Sequence, residues 1–414
     1  MPSKPPNRCP LAITGIGVAC GLGHGKRALW DGLLRAPNLF GFLQRPGRQS
    51  QAGQPPFIGI EMPDPPSILP PRIERTVGLS ARIAVSVLNE AWQEADLNSV
   101  APERIGLVIG GSHFASRESA LASAADLERP AFIPPRHGHM FLDSDLSGVC
   151  TSTFPIRGFS QTVDAASASG TVATLQAMEA VRSGRVDVCI ALGGMQDVSA
   201  LDLHRLRALG AMGSERFADI PEEACRPMSR NHDGFIFGES SAALVIERVT
   251  PDRPHYGVLS GGAHIVDGHR GPQPDSGGQQ RAAQMALDEA GLGGGDIDYL
   301  NGHATGTPLG DETELESCRQ LGLNGAWTNT TKSILGHGLS SAGSIELAAL
   351  LLQMRHGILH PSRNLSPPLD DTLRWVGGSP QPHQIQKALK LSFGFNGINS
   401  ALIVEAPSPG ARQP

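Results

Sequence analysis

The chain has 414 residues, a formal net charge of −6 and 40% hydrophobic residues. This length and apolar content can form a large core, in two or three domains or in one duplicated domain. No apolar run approaches the roughly 18 residues that cross a bilayer, residues 1–8 lack the apolar core of a secretory signal, and the net negative charge argues against nucleic acid as a partner. We therefore expect a globular cytoplasmic protein that binds neither nucleic acid nor membrane.

The predicted elements alternate between strands and helices. Glycine (50) and proline (33) are abundant, which suits many tight connections in an α/β fold. Short apolar runs predict strands at 11–14, 105–109, 186–192, 241–246, 299–300 and 401–404. Apolar residues at helical spacing predict helices at 81–95 and 279–290. Segments 63–71, 128–136 and 251–254 contain prolines and are predicted to be loops.

Neither a dinucleotide site nor a metal site is predicted. The glycine-rich segment 15–21 has the wrong spacing for a dinucleotide-binding motif, and no acidic residue ends a second strand about 20 residues later. The histidine pairs His137/His139 and His264/His269 lack the HExxH form and a cysteine partner. The six cysteines have no CxxC spacing, so we expect buried free thiols: Cys9, Cys20, Cys150, Cys189, Cys225 and Cys318.

The segment around Ser167 predicts a strand, a sharp turn and a helix. A β-prone run at 161–163 leads into small residues and then into an alanine-rich helix over 171–182. Small neighbours let the backbone turn sharply and leave Ser167 exposed near the helix N-terminus, as in a nucleophile elbow. A serine in such a turn is more often only a helix N-cap, so this segment alone does not assign a function.

Two segments recur in the same order along the chain. Segment 91–97 resembles segment 286–292, and segment 169–184 resembles segment 342–357. The repeat predicts two similar halves, residues 1–250 with the turn at Ser167 and residues 251–414 with the histidine motifs described next. It also places Ser167 opposite Ser340.

Two histidines stand in glycine-rich, polar motifs. His303 lies in segment 301–311, just after a predicted strand, and His337 lies in segment 331–343, just before a predicted helix. A lone histidine in such a setting is more often structural than functional. Two of them accompany a nucleophile-like turn here, and Lys332 and Glu346 are available to fix their protonation, so the motifs indicate catalysis.

Five ordered motifs resemble those of β-ketoacyl synthases of the thiolase-like superfamily. They are segments 11–20 and 226–239, the two histidine motifs and segment 392–400, and the resemblance runs nearly end to end. It implies a thiolase-like fold in which duplicated halves form α-β-α-β-α layers, and it implies a homodimer. It also implies that no cofactor or metal is bound, because substrates arrive on the phosphopantetheine arm of an acyl carrier protein.

The resemblance assigns catalytic roles position by position. The active-site cysteine of the family falls on Ser167, and its two catalytic histidines fall on His303 and His337. Phe395 matches a gating phenylalanine whose backbone N–H joins that of the nucleophile in an oxyanion hole.

Supporting residues are implied in the same way. The lysine that supports the second histidine falls on Lys332, and its glutamate partner falls on Glu346. Asp311 and Glu314 match acidic positions after the first histidine motif and are expected to be structural. Ala304 replaces the usual glycine, a change that is expected to reshape the pocket without removing a chemical group.

Serine at position 167 leaves only half of the family reaction. Condensation needs a thiolate, and a helix N-terminus can lower a cysteine pKa from roughly 8.5 to around 7. A serine hydroxyl needs a dedicated base instead, which the motifs do not supply. Decarboxylation of a malonyl thioester needs hydrogen-bond donors at the developing enolate oxygen, which His303 and His337 can provide.

This pattern is similar to the free-standing decarboxylative variants of polyketide β-branching cassettes, in which serine replaces the cysteine. It implies conversion of malonyl-acyl carrier protein to acetyl-acyl carrier protein for a hydroxymethylglutaryl-synthase-like (HMG-synthase-like) partner. Segment 136–146 is expected to be a substrate-channel or dimer-interface loop.

Two alternatives stay open. One is a chain-length-factor-like, non-catalytic partner of an active ketosynthase, against which the retained His303, His337 and Lys332 argue. The other is a serine-dependent acyltransferase with Ser167 as its acyl acceptor. An acyl adduct on Ser167 would distinguish the second from a decarboxylase.

Overall fold

The computed structural model describes residues 10–408 except 214 and 251, together with 410 and 412. The expectations for residues 1–8 and for Cys9 therefore lie outside the described residues. The strands are β1 Leu11–Cys20, β2 Gly23–His24, β3 Gly41–Phe42, β4 Ile58–Ile60, β5 Ile105–Gly110, β6 Phe159–Val163, β7 Val188–Gly193, β8 Phe237–Gly238, β9 Ser240–Arg248, β10 Val258–Val266, β11 Tyr299–Asn301, β12 Trp327–Asn329, β13 Ile358–Leu359, β14 Arg374–Trp375, β15 Gln381–Pro382, β16 Lys387–Gly394 and β17 Ile398–Glu405. The helices are α1 Lys26–Arg35, α2 Pro71–Glu74, α3 Leu79–Glu94, α4 Ser116–Glu128, α5 His137–Met140, α6 Asp143–Thr153, α7 Ser169–Arg182, α8 Ala200–Ala208, α9 Ser276–Ala290, α10 Pro308–Gln320, α11 Lys332–Leu335 and α12 Ala342–His356.

The strand order is the same in the two halves of the chain. The first half has the order β1-β9-β7-β5-β6, and the second has β10-β17-β16-β11-β12. The two sets meet where β1 pairs with β10, at Leu11 opposite Leu259. The duplicated α/β architecture predicted from the repeat is thus confirmed. A division at residue 250 falls between β9 and β10 and stays a prediction.

Alternate residues of the strands face different helical layers. In β7, Val188, Ile190 and Leu192 pack in a cluster with α3, whereas Cys189 and Ala191 face a central cluster with α7 and α12. In the second half, α9 packs on β10 and β17. This period-2 alternation buries both faces of the strands and gives the predicted α-β-α-β-α layering.

Helices α7 and α12 touch at their N-termini through glycines. A Cβ on Gly170 would lie 2.7 Å from the backbone nitrogen of Ser344, and a Cβ on Gly343 would lie 2.6 Å from that of Thr171. Only glycine permits such close backbone approach. The crossing brings the turns that precede the two helices side by side, at the centre of the molecule.

The predicted strands and helices are all present, most of them longer than expected. Three differences stand out. The first predicted strand, 11–14, extends to residue 20 as β1 and includes most of the glycine-rich segment 15–21. Segment 136–146, expected to be a loop, forms α5 and the start of α6, where the Asp143 carboxylate accepts the backbone N–H groups of His113 and Phe114. Strands β10 and β16 were not predicted.

Other expectations can be compared with the described residues. Five cysteines are free and buried, namely Cys20, Cys150, Cys189, Cys225 and Cys318, as predicted. Among the described helices, none is long and apolar enough to cross a membrane. Within the same residues, no group of three or more His, Cys, Asp or Glu side chains is arranged to hold a metal ion.

Candidate active site

A cavity of about 380 Å³ lies beside the central helix crossing. Four of the predicted site residues line it: Ser167, His303, His337 and Phe395. The rest of its lining is largely apolar, as is typical of a site that binds a small ligand with a few placed polar groups. The fifth predicted residue, Lys332, lies behind the histidines and is buried.

The turn that carries Ser167 has a strained backbone. Ala166 adopts a φ of 48°, in the left-handed region that a residue with a Cβ rarely occupies. The Ser169 hydroxyl holds the turn in place, since it accepts the N–H of Ala165 at 2.9 Å and donates to the carbonyl of Ala166 at 2.7 Å. As a result, the Ser167 side chain is presented to the cavity just before α7 begins.

His337 is a neutral imidazole that donates a hydrogen bond to Ser167. Burial, and then the nearby Lys332, hold the pKa of His337 well below its usual value of 6.5. The backbone N–H of Leu339 donates to Nδ1 at 3.2 Å, so the ring proton must be on Nε2. Nε2 lies 3.0 Å from Ser167 Oγ. The imidazole is therefore the donor in this pair, and the serine oxygen accepts.

His303 has the same protonation for a different reason. Burial, followed by the charge of Lys332, holds the pKa of His303 well below its usual value. The Lys332 ammonium donates to the carbonyl of His303 and lies 3.4 Å from its Nδ1. A cation that faces Nδ1 leaves the proton on Nε2. The family resemblance implied that Lys332 supports the second histidine, but the lysine contacts His303, and Nδ1 of His337 accepts a backbone N–H instead.

Glu346 lies between two buried lysines. Its Oε1 accepts from Lys332, and its Oε2 accepts from Lys390 at 2.8 Å. Lys390 also donates to Ser392 Oγ at 3.0 Å, and burial lowers its pKa. Ser392 Oγ in turn lies 2.8 Å from the hydroxyl of Thr171 on α7. This chain of contacts links Lys332, which contacts His303, to α7, the helix that follows Ser167.

Sequence reasoning missed Lys390, although a signal was present. Lys390 stands between Leu389 and Leu391 in β16 and is fully buried there. A buried lysine requires a partner, because an isolated charge is costly to remove from water. Its partner in the structure is Glu346, which lies 44 positions away along the chain.

Two buried carboxylates hold the loop that carries His303. Glu314 accepts the backbone N–H groups of His303 at 2.6 Å and Ala304 at 2.7 Å, one on each oxygen. Asp311 accepts the N–H of Gly306 at 3.0 Å and lies 3.1 Å from Nδ1 of His232. Both carboxylates thus hold the backbone of this loop, in keeping with their expected structural role, and Glu314 also lines the cavity.

Acidification below pH 6.5 is expected to destabilise the fold. Burial lowers the pKa of His303 and His337 well below 6.5 and that of His360 to about 4, so the unfolded chain takes up these three protons first. The stability that the neutral rings supply is complete above pH 6.5 and is lost as the pH falls, by up to about 1.4 kcal/mol per pH unit for each ring.

Glu314 acts in the opposite direction. Burial raises its pKa from 4.5 to about 7, so acidification through this range adds stability from one proton. The three histidines outnumber it, and a net loss remains. Urea unfolding at pH of about 7.5 and about 5.5 measures the effect, and equal or greater stability at the lower pH contradicts the prediction.

The loop at Phe395 lies directly on the turn at Ser167. A Cβ on Gly394 would lie 2.5 Å from the carbonyl oxygen of Ala165, so only glycine fits there. Phe395 follows immediately, lines the cavity and packs beside an apolar cluster that includes Leu339. The position suits a residue that closes the cavity, and its gating role stays a prediction.

Comparison with known proteins assigns the family. The model for the N-terminal domain of β-ketoacyl synthases matches residues 9–251, and the model for the C-terminal domain matches residues 256–366. The polyketide biosynthesis malonyl-ACP decarboxylase PksF of Bacillus subtilis is 45% identical over 401 residues, which covers 95% of this chain and 96% of that protein. The tetracenomycin ketoacyl synthase alpha subunit of Streptomyces glaucescens is 29% identical and covers 96% and 97% of the two chains.

Solved structures share the fold. A β-ketoacyl synthase from Burkholderia phymatum superposes with a TM-score of 0.86 at 22% identity and covers 96% of this chain and all of that one. A type II polyketide ketosynthase solved in complex with its acyl carrier protein superposes with a TM-score of 0.81 at 23% identity, with coverage of 97% and 100%. These likenesses confirm the thiolase-like fold predicted from the motifs. Because both family domains match in order and together span most of its length, the chain belongs to the β-ketoacyl synthase family.

Proposed function

We propose that this protein decarboxylates malonyl-acyl carrier protein to acetyl-acyl carrier protein in polyketide β-branching and does not condense acyl chains. The hydrogen bond between His337 and Ser167 carries the proposal. His337 donates its only ring proton to the serine oxygen, so it cannot remove the proton of the hydroxyl. Without a base, the serine stays an alcohol, and the acyl-transfer half of the family reaction has no nucleophile.

The same protonation supports the decarboxylation half. When the malonyl carboxylate leaves as CO₂, negative charge moves onto the thioester oxygen. His303 and His337 each carry a proton on Nε2, and their ring centroids lie 5.6 Å apart, nearly perpendicular. A thioester oxygen between them would accept from both rings and would replace Ser167 as the acceptor of the His337 proton, and each such donor typically lowers a barrier by about 2.7–4 kcal/mol. A neutral imidazole is suitable as a donor here, because its single ring proton is on Nε2, the nitrogen that faces the cavity.

The geometry argues against a serine-dependent acyltransferase. In a Ser-His-Asp triad, a carboxylate accepts from Nδ1 and frees Nε2 to accept the serine proton. Here the N–H of Leu339 faces Nδ1 of His337, which inverts both hydrogen bonds. An acyltransferase would need this ring to reverse its tautomer against a fixed backbone donor.

The buried charges argue against a purely non-catalytic, chain-length-factor-like partner. Lys332, Glu346 and Lys390 are each at most 2% exposed, and taking three charges out of water is costly even when they are paired. Apolar residues of similar volume are often as stable in such positions. Their arrangement behind His303 is explained by the need to fix the proton of that ring.

The partners follow from the proposed substrate. An acyl carrier protein would deliver the malonyl group on its phosphopantetheine arm, so the protein itself would use no cofactor and no metal. An HMG-synthase-like enzyme would consume the acetyl product. We also propose a homodimer. Within the described residues strand β6 pairs on only one side, with β5, and an open sheet edge favours pairing with another chain. We place the protein in the cytoplasm.

The direct test is incubation of the purified protein with malonyl-acyl carrier protein alone. We expect the malonyl mass to be replaced by the acetyl mass on the intact carrier, without a second ketosynthase. A matched sample with a His303→Ala, His337→Ala double variant controls for spontaneous decarboxylation. Persistent malonyl-carrier in the wild-type sample would contradict the proposal.

A further inference from the structure

We propose that the hydroxyl of Ser167 is the acid that protonates the carbanion left by decarboxylation. This inference rests on the proposed function and adds the step that function requires. In a condensing enzyme the carbanion is consumed by an acyl group attached at position 167. In a decarboxylase the same carbon must receive a proton, at the same place in the cavity.

The hydrogen of the Ser167 hydroxyl is directed toward the carbanion position, because the other directions lack an acceptor. Nε2 of His337 lies 3.0 Å from Ser167 Oγ and carries a proton whether it donates to the serine or to the substrate, so the hydroxyl hydrogen cannot be directed toward the imidazole. Among the described residues no other group accepts a hydrogen bond from Ser167, and the side chain lines the cavity. The hydrogen is therefore free to be directed into the cavity.

Other polar side chains that line the cavity have hydrogen-bond partners of their own. The Nε2 protons of His303 and His337 face the thioester oxygen in the proposed mechanism. Both oxygens of Glu314 accept backbone N–H groups, at 2.6 and 2.7 Å, which fixes this carboxyl group against the loop that carries His303. The hydroxyls of Thr305 and Thr307 lie 2.9 Å from each other, so one of the two donates to the other.

The step balances with water as the final proton source. The bond between C2 and the carboxylate carbon of the malonyl group breaks, CO₂ leaves, and the electron pair moves onto C2 and the thioester oxygen. The Ser167 O–H bond then breaks as a new C2–H bond forms, because a thioester carbanion is a stronger base than an alkoxide. A water molecule from the cavity returns a proton to the alkoxide and leaves as hydroxide. The net change is one malonyl carboxylate and one water converted to an acetyl group, CO₂ and hydroxide.

The decisive measurement is recapture of CO₂. We would incubate wild type and Ser167→Ala with malonyl-acyl carrier protein in ¹³C-labelled bicarbonate and stop each reaction at half conversion. In wild type, rapid protonation competes with the return of CO₂, and the remaining malonyl group is expected to carry little label. Without the hydroxyl, the carbanion lasts longer, and the label in the remaining malonyl group is expected to rise by at least about 10-fold, since a positioned acid typically contributes 10²–10⁴.

A second serine serves as the matched control. Ser340 occupies the corresponding turn of the second half, but its hydroxyl donates to the carbonyl of Gly194 at 3.0 Å and does not line the cavity. Ser340→Ala is expected to show the label content of wild type. Circular dichroism of all three proteins checks that they are folded.

Each outcome decides the inference. More label in Ser167→Ala than in Ser340→Ala supports it. Equal label in all three active proteins overturns the inference and leaves the proposed function intact. A folded Ser167→Ala that neither decarboxylates nor exchanges also overturns it, since the hydroxyl would then be needed to break the carbon–carbon bond. Wild type that forms no acetyl product overturns the inference and the proposed function together.

Discussion

Ser167→Cys is expected to become acylated when it is incubated with an acyl-acyl carrier protein. The thiol would lie at the N-terminus of α7 and accept the Nε2 proton of His337, and both interactions stabilise a thiolate. Such surroundings lower a cysteine pKa from roughly 8.5 to around 7 or less, which gives a substantial thiolate fraction at neutral pH. Mass spectrometry of the intact protein should show the added acyl mass, and a β-ketoacyl product should form when malonyl-carrier is supplied.

Two comparisons bound this result. Wild type should carry no acyl mass under the same conditions, because no group near Ser167 accepts its proton. Ser167→Ala should also stay unmodified, which excludes acylation elsewhere. An acyl adduct on wild-type Ser167 would instead favour the acyltransferase alternative, and an unmodified Ser167→Cys would mean that the turn does not activate a thiol.

His303→Ala and His337→Ala are each expected to lose decarboxylation activity by about 10²-fold or more. Each change removes one of two proposed donors to the enolate oxygen, and a single donor of this kind is typically worth about 2.7–4 kcal/mol. The loss should appear in kcat, because the donors act mainly on charge that develops in the transition state. The rate of acetyl-carrier formation at saturating malonyl-carrier measures it.

The control for these variants is His264→Ala. This histidine is exposed on β10 and is no part of the cavity lining, so its removal should leave kcat within about 2-fold of wild type. Retention of near-normal kcat in either active-site variant, with circular dichroism unchanged, would contradict the assigned donor roles.

The motifs, and the family resemblance that they carry, predicted the fold and named residues that the structure brings together at one cavity. The order of the histidine motifs, the small residues around Ser167 and the repeat that pairs it with Ser340 are visible without coordinates. The structure shows the same pairing in the backbone. The residue before each serine is left-handed, with a φ of 48° at Ala166 and 53° at Leu339.

The contacts that set protonation could not be predicted in this way. Lys332 contacts His303, although His337 is closer to it in sequence. The Nδ1 atom of His337 accepts a backbone N–H instead. Lys390 was missed since its partner Glu346 is 44 positions away along the chain. Strand β10 contains two adjacent glycines, and β16 contains two lysines, so neither displays the continuous apolar run that predicted strands such as β5, β7 and β9.

The left-handed turn at Leu339 differs in function from the corresponding turn at Ala166. In the first half, the turn at Ala166 presents the hydroxyl of Ser167 to the cavity. In the second half, the copy buries its own hydroxyl and directs the N–H of Leu339 at His337 instead. The direction of one proton in the cavity is therefore set by the backbone of the opposite half. A change that relaxed this turn would let the ring adopt its other tautomer and would make the serine a candidate nucleophile again, although every side chain in the cavity were unchanged.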